Sequence, residues 1–513
     1  MTKRISSVAM TSSVATSLVA HLMRRDGQED LCMALYRPST GRTRDTALIA
    51  EAFLPLPGER EVHGIVTFTG DYVMRIAQIA AKHQCGLAII HSHPSGSGWQ
   101  GLSSADTDAE STYARMVYEV TGLRLLGMTY AGLSNTWSAR FWDTSQLTPA
   151  HCVSVRVVGE HFSFSWNESL LGAQRETARL TSTMSCWGPA TQTTLARMKV
   201  LIAGLGTLGL DIGARLAAAG VGQLGLIDFD DLELKNLDRL READAWDVLL
   251  GRSKLEHAEG VINRSATCPN FQVYMFEGSV ADDSAQPFIL DYDLIVCAID
   301  DHPWPRAILT ALPYSDLIPV IDGGVAVDVF EDCEQMRNAT WRSHVIRPGR
   351  PCMACNGQIE LGNVSADREG VWRSADYING LPKAQQMPGR NVTTIATGAV
   401  GGYLAQFTSF IANPSNLGEP GPVRFSLSTH WLERLKQTSR SDCLIEAQLT
   451  LGDQRFSLSG VDHHARERIA ARQSRVSSPW IKSLRWLGNQ LNALRQILIA
   501  YAERRLTPPE QPY

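Results

Sequence analysis

Apolar residues recur along this chain with two periods. Short runs at 31–36, 47–53, 87–91, 200–203, 224–228 and 293–298 have the length and apolar density of buried strands. Residues 71–83 instead space their apolar side chains at helical intervals, and Val14, Leu18 and Leu22 do the same in a short first helix. From Lys199 onward strands alternate with helices, which predicts a parallel sheet with its chemistry at the strands' carboxyl ends. The stretch 345–395, rich in Gly, Pro, Arg and Asn, reads as a long functional loop. Near the end, Trp480, Ile481, Leu484, Leu487, Leu491, Leu494, Leu498 and Tyr501 form one apolar stripe, the mark of a helix docked on the body. The pattern divides an α/β chain into 1–145, a connector at 146–174 ending in a polar helix around 175–180, a unit at 175–430, and an extension at 431–513.

Composition changes this picture little. A chain of 513 residues needs several cores, and 44% apolar with 20% charged residues is ordinary for a globular protein. The net charge of −5 gives no reason to expect nucleic acid as a partner. The ten cysteines are mostly isolated, which fits a reducing, cytoplasmic setting rather than a disulfide framework. The stretch 5–20 is too rich in Ser and Thr for a signal peptide, and no run suggests a membrane span.

Two motifs carry chemistry. In a strand, residues two apart face the same way, so His91 and His93 present both imidazoles to one side. Pro94 ends that strand, and Ser103-Ser104-Ala105-Asp106 has the form of a helix start. Two histidines and a carboxylate leave a fourth tetrahedral position for water, the pattern of a catalytic zinc. Glu29 is the candidate general base, with Glu51, Glu59 and Glu61 also upstream. The set resembles the JAMM signature of the JAB/MPN metalloproteases, which cleave ubiquitin-like proteins from their targets. The resemblance covers about 1–145 and implies zinc on His91, His93 and Asp106, Glu29 as base and Ser103 as oxyanion stabiliser. The loop between Pro94 and Ser103 is two residues longer than that pattern, with a Gly- and Ser-rich insertion expected to bulge without moving the ligands.

The second motif is Gly204-Leu205-Gly206-Thr207-Leu208-Gly209, placed between a buried strand and a helix, where backbone amides and a helix N-terminus hold phosphate. Asp228, 19 residues beyond Gly209, suits ribose hydroxyls and alone fits a dehydrogenase equally well. Asn236, Arg239, Lys254 and Asp300 distinguish the two, because transfer at a nucleotide phosphate needs cations and a magnesium-holding carboxylate. These residues resemble the ThiF/MoeB and ubiquitin-activating family over about 170–420, including the Gly220-Val221-Gly222 turn and the Cys297-to-Asp301 strand end. The resemblance implies ribose on Asp228, ATP phosphates on Asn236, Arg239 and Lys254, magnesium on Asp300, and Arg179 offered from the preceding segment, across a dimer. Asp301 and Thr207 replace a customary Asn and Gly. The implied fold is a JAB/MPN α/β unit, then a Rossmann-like adenylation unit with a mostly parallel sheet, then a helical tail.

The family's structural zinc needs two Cys-x-x-Cys pairs, whereas only Cys352/Cys355 is present, and Cys443 alone does not complete four thiolates. His344 and Cys333 are the other candidates for that zinc. No cysteine lies at 383–390, where a thioester-forming residue is expected before the helix near Asn391. Cys352 or Cys355 could serve, or another nucleophile could accept the acyl group. The combined expectation is a bifunctional enzyme using Zn, ATP and Mg. It would adenylate the C-terminal glycine of a ubiquitin-like protein and hydrolyse (iso)peptide bonds of the same protein, as a homodimer working with a conjugating enzyme. The alternatives are a sulfur-carrier adenylyltransferase with a carrier-processing protease, and a binding scaffold with vestigial sites.

Overall fold

The computed structural model describes residues 4–506 apart from 64, 173–177, 301, 331–334, 372–373, 381–391, 413–420 and 460–462. The first sheet shows strict alternation. Leu31, Met33 and Leu35 pack under helices Gly70–Lys82 and Ser104–Thr121, whereas Cys32, Ala34 and Tyr36 pack under helix Ser12–Leu22 on the other face. Period-two side chains in strand Leu31–Thr40 thus feed two cores, and the sheet is the middle layer of three. Its strand order is Phe162–Trp166, Ser154–Val158, Ile5–Thr11, Arg44–Phe53, Leu31–Thr40, Gly86–His93, Leu126–Ala131, Thr136–Trp142, Pro149–His151. The expected connector at 146–174 is therefore largely sheet: Ser154–Val158 pairs in parallel with Ile5–Thr11, closing the N-terminal unit. The polar helix expected around 175–180 falls partly outside the described residues; 178–180 is a single 3₁₀ turn leading into helix Thr181–Arg197.

The second sheet runs Gln272–Glu277, Gln223–Asp228, Lys199–Ala203, Leu294–Cys297, Val320–Val329, Met336–Ile346, Val423–Ser426, Trp431–Arg434. The first five strands are parallel and the remainder antiparallel. Within the parallel part the third, second, first, fourth and fifth strands lie side by side. The order reverses beside Lys199–Ala203, the crevice where doubly wound folds bind ligands. Helices Thr207–Ala218, Lys254–Ser265 and Thr393–Ala412 cover one face, and Pro303–Ser315 the other.

Thr393–Ala412 is long and apolar enough to cross a membrane, a feature the sequence pattern did not set apart. Half of its most apolar window is buried; Ala396, Val400, Tyr403 and Phe407 lie in the core, and a side chain at Gly402 would strike Trp341. The C-terminal helix Pro479–Leu506 forms where the stripe predicts it. The stripe does not dock, however: Trp480, Leu487, Leu491, Leu494, Leu498 and Tyr501 are exposed. Arg485 ties the helix to the body instead, bonding Glu256 and the carbonyls of Leu250 and Gly251.

The two sheets meet through buried charge. Asp293, at the head of strand Leu294–Cys297, accepts the guanidinium groups of Arg44 and Arg156 from the first sheet and the amide of Lys199 from its own. Burial pushes the Asp293 carboxyl up, but the two guanidinium groups outweigh it and hold the acid below its usual range. Asp291 takes the amides of Thr43 and Arg44, and Asp316 binds Ser39 and Arg455. Gly452 runs so close to Pro38 that a Cβ would lie 2.1 Å from its carbonyl oxygen. Apolar residues of the first sheet (Ala9, Leu48, Val158, Phe162) join the core of the second.

Asp293→Ala leaves two buried guanidinium groups without their shared carboxylate and should cost about 3–5 kcal/mol, read from the urea midpoint. Because the Asp293 carboxyl is held below its usual range, its contribution is full above about pH 4 and fades as pH falls further. The variant should therefore show a smaller loss of stability between neutral and acid pH than the wild type.

Candidate functional site

Strand Gly86–His93 delivers His91 and His93 on one side, with their Nε2 atoms 3.3 Å apart. Asp106 arrives from the first turn of helix Ser104–Thr121, fixed by a capping box with Ser103. Its carboxylate oxygens lie 3.7 Å from His91 Nε2 and 3.9 Å from His93 Nε2. A tetrahedral metal with bonds near 2.0–2.2 Å spaces its ligands about 3.3–3.6 Å apart, so these three side chains can meet one ion with little movement. Burial, reinforced by the charge of Arg140, holds His91 down at about 3, so its imidazole stays neutral as a ligand must be.

The surroundings orient these donors. Buried Glu110 holds Arg140 and the Trp142 indole; Arg140 donates to Thr129 at 2.8 Å, and Thr129 Oγ1 lies 3.4 Å from His91 Nε2. Gln100 Oε1 sits 3.0 Å from His93 Nδ1, which leaves Nε2 for a metal. Gln100 belongs to the longer loop, and sequence reasoning passed over it because an amide in a Gly-Ser loop carries no pattern. Glu29 is 3.9 Å from His93 Nε2 and half-buried, and burial raises its carboxyl against the pull of His93. Ser103 donates its hydroxyl to Asp106 at 2.7 Å, so in this structure it serves as the helix cap.

The glycine loop is built for close approach. Gly204 has φ +89°, and a Cβ there would lie 2.7 Å from the Ala298 carbonyl oxygen; at Gly209 it would lie 1.8 Å from that of Gly204. Gly206 caps helix Thr207–Ala218 without a side-chain hydrogen bond, leaving its first amides for an anion. Asp228 accepts the amides of Leu205 and Asp230 at 2.6 and 2.7 Å. Burial raises the Asp228 carboxyl despite Lys254. Lys254 Nζ donates to Asp230 at 2.8 Å; burial pulls the ammonium down, but Asp228 and Asp230 prevail and hold it above its usual value. Asp300 adds to that field.

Other expected members are placed differently. Asn236 is buried with its side-chain oxygen on the Glu233 amide. Arg239 holds the Lys235 carbonyl and Asp238 rather than turning to Lys254. The turn bearing Arg179 packs by Gly220, at the far end of helix Thr207–Ala218 from the glycine loop, about 18 Å away along a helix of that length.

A third cluster gathers the thiols. Cys443 lies with Cys352 and Cys355, which makes three thiols rather than four, and Glu446 is the fourth group, their candidate ligand atoms all within 4.8 Å of one another. Cys352 and Cys443 sulfurs are 3.5 Å apart, and burial pushes the Cys352 and Cys355 thiols up. His344 is engaged elsewhere, on Asp322 and Asn356, and Cys333 lies outside the described residues, as does 383–390. Buried Cys352 is poorly placed to carry an acyl group.

With this geometry in view, residues 178–439 match the profile of the ThiF family, just over half of the chain. The chain belongs to the ThiF family. It is 32% identical over 132 residues to the molybdopterin-synthase adenylyltransferase of Escherichia coli strain K12, covering 26% of this chain and 51% of that protein. It is 31% identical over 133 residues to the NEDD8-activating enzyme E1 catalytic subunit of Schizosaccharomyces pombe, covering 25% and 28%. The chain thus spans about half or less of the length of these relatives. The crystal structure of E. coli MccB aligns at 18% identity over 57% of this chain and 76% of that one, with a TM-score of 0.40.

Removing the side chain that orients His93 tests the histidine site. Gln100→Ala should weaken zinc affinity about 10–100-fold while leaving the unfolding midpoint unchanged, as read by competition with a chromophoric chelator.

Proposed function

We propose that the ThiF unit adenylates the C-terminal glycine of a ubiquitin-like or sulfur-carrier protein. The observation that carries this reading is the Lys254–Asp230–Asp228 cluster at the mouth of the glycine loop, with Asp300 beside it. The amides after Gly206 and the Lys254 ammonium receive the triphosphate, and Asp228 faces the ribose. A carboxylate oxygen of the carrier attacks the α-phosphorus, the bond to the β-phosphate oxygen breaks, and pyrophosphate leaves with the electron pair. Asp300 fits a magnesium ion, which would offset charge on the leaving pyrophosphate.

The N-terminal unit is a hydrolase for (iso)peptide bonds of the same carrier. His91, His93 and Asp106 suit zinc, which when bound lowers the pKa of its water to about 7 and polarises a carbonyl. Glu29 takes the proton of the attacking water and returns it to the departing amine. A shared substrate links the two units in this reading: one exposes or releases the carboxyl terminus that the other activates. Cys352, Cys355, Cys443 and Glu446 suit a second, structural zinc, with a carboxylate where a fourth thiolate is expected. Cytoplasmic location and a homodimer that hands the carrier to a conjugating enzyme belong to the same reading. Sulfur transfer differs only in the acceptor.

Pyrophosphate exchange into ATP should require a carrier with a free C-terminal glycine and should fall about 10²–10³-fold in Lys254→Ala. Exchange without a carrier, or none with any small glycine-tailed protein, counts against adenylation. Metal analysis should find about two zinc ions per chain. Cys443→Ser should retain one of them, and Glu29→Gln should keep both while abolishing cleavage of a carrier extension; a metal-free wild type defeats the hydrolase reading.

A further inference from the structure

The C-terminal extension reaches back onto the nucleotide site. Helix Ala465–Val476 lies along the segment that follows strand Gln223–Asp228, and its arginines face that segment's acids. Arg472 is buried, pairs with Asp231 and Glu277, and donates to the Phe229 carbonyl at 3.3 Å; Arg475 also pairs with Asp231. These contacts anchor the helix. The ring of Phe229 fills the gap, edge-on to His463 and His464 at 5.3 Å and beneath the Arg468 guanidinium at 5.8 Å.

Arg468, one turn before Arg472, reaches the site itself. Its Nη1 lies 2.7 Å from Asp230 Oδ1, while Lys254 Nζ lies 2.8 Å from Asp230 Oδ2. One carboxylate is thus shared between the lysine that belongs to the ThiF unit and an arginine from outside it. The sharing matters because the rim is acidic. Asp228, Asp230 and Asp300 all bear on Lys254, and Asp231, Glu233 and Glu277 stand close by. A lysine held by unopposed carboxylates is poorly available to a triphosphate, and the carboxylates themselves repel it. Arg239, the other cation of the motif, is turned to Asp238.

We propose that Arg468 is a positioning residue for nucleotide binding. By pairing with Asp230 Oδ1 it offsets the charge of that carboxylate and lets Lys254 turn from Asp230 to the triphosphate. The C-terminal extension, not the ThiF unit alone, then completes the ATP site. This inference rests on the adenylation reading above and adds a positioning contact to the same site.

Mg-ATP titrated calorimetrically into the full chain tests it. Arg468→Ala should weaken the dissociation constant about tenfold, and Arg468→Lys should stay within about threefold of wild type. Because Arg468 acts through Asp230, adding Arg468→Ala to Asp230→Asn should change binding less than about twofold. Arg468→Gln, which keeps the stem and loses the charge, should match the alanine variant and guards against a folding defect. Unchanged or tighter binding in Arg468→Ala, or an equal loss in both backgrounds, overturns the proposal. A wild type that binds no Mg-ATP removes the adenylation reading itself, a result distinct from either.

Discussion

A carboxylate buried between two sheets needs cations close at hand, and Asp293 finds them in Arg44 and Arg156 of the neighbouring unit. The desolvation of three charged groups is recovered only while all three stay in register, so the junction tolerates little sliding. Along the same seam Asp291 accepts the amides of Thr43 and Arg44 and Asp316 the Ser39 hydroxyl, and the core of the second unit takes in side chains from the first. The two candidate sites are therefore carried by one body rather than by two beads on a linker. Their strand ends keep a fixed relation to one another.

Each site depends on a different local solution to close approach. At the histidine site, period-two geometry sets two imidazoles side by side, and a capped helix start brings the acid. Beneath them a buried chain of Glu110, Arg140 and Thr129 reaches His91 from the core. At the nucleotide site, glycines let one backbone turn pass within contact of another strand's carbonyl, which turns a helix N-terminus outward. The charges are then set by Lys254 and by arginines that arrive more than 200 residues later in the chain. One site is fixed from below and the other completed from above.

What was legible in the sequence was whatever a few adjacent residues encode. The strands at 31–36, 87–91 and 200–203, the histidine pair, the capping serine and the glycine loop all follow from periods of two or 3.6 and from backbone conformations that only glycine adopts readily. Arg239 and Asn236 were legible as a motif, but their motif did not reveal that one would turn to Asp238 and the other to the Glu233 amide. The apolar stripe at 480–501 announced a helix correctly and its burial wrongly, because periodicity reports an amphipathic face and not what covers it.

The sequence by itself determined the class of fold and the local placement of the histidine pair and the glycine loop, since each is written in a short window whose spacing is the geometry. Only the tertiary structure decided how distant segments close on one another. It brought Cys443 and Glu446 to Cys352 and Cys355, placed Gln100 on His93, turned 149–166 into sheet, and laid Arg468 on Asp230. The physical reason is that such contacts are fixed by the packing of whole layers. No local period records which loop a sheet edge or a buried carboxylate will meet once the chain has folded back on itself.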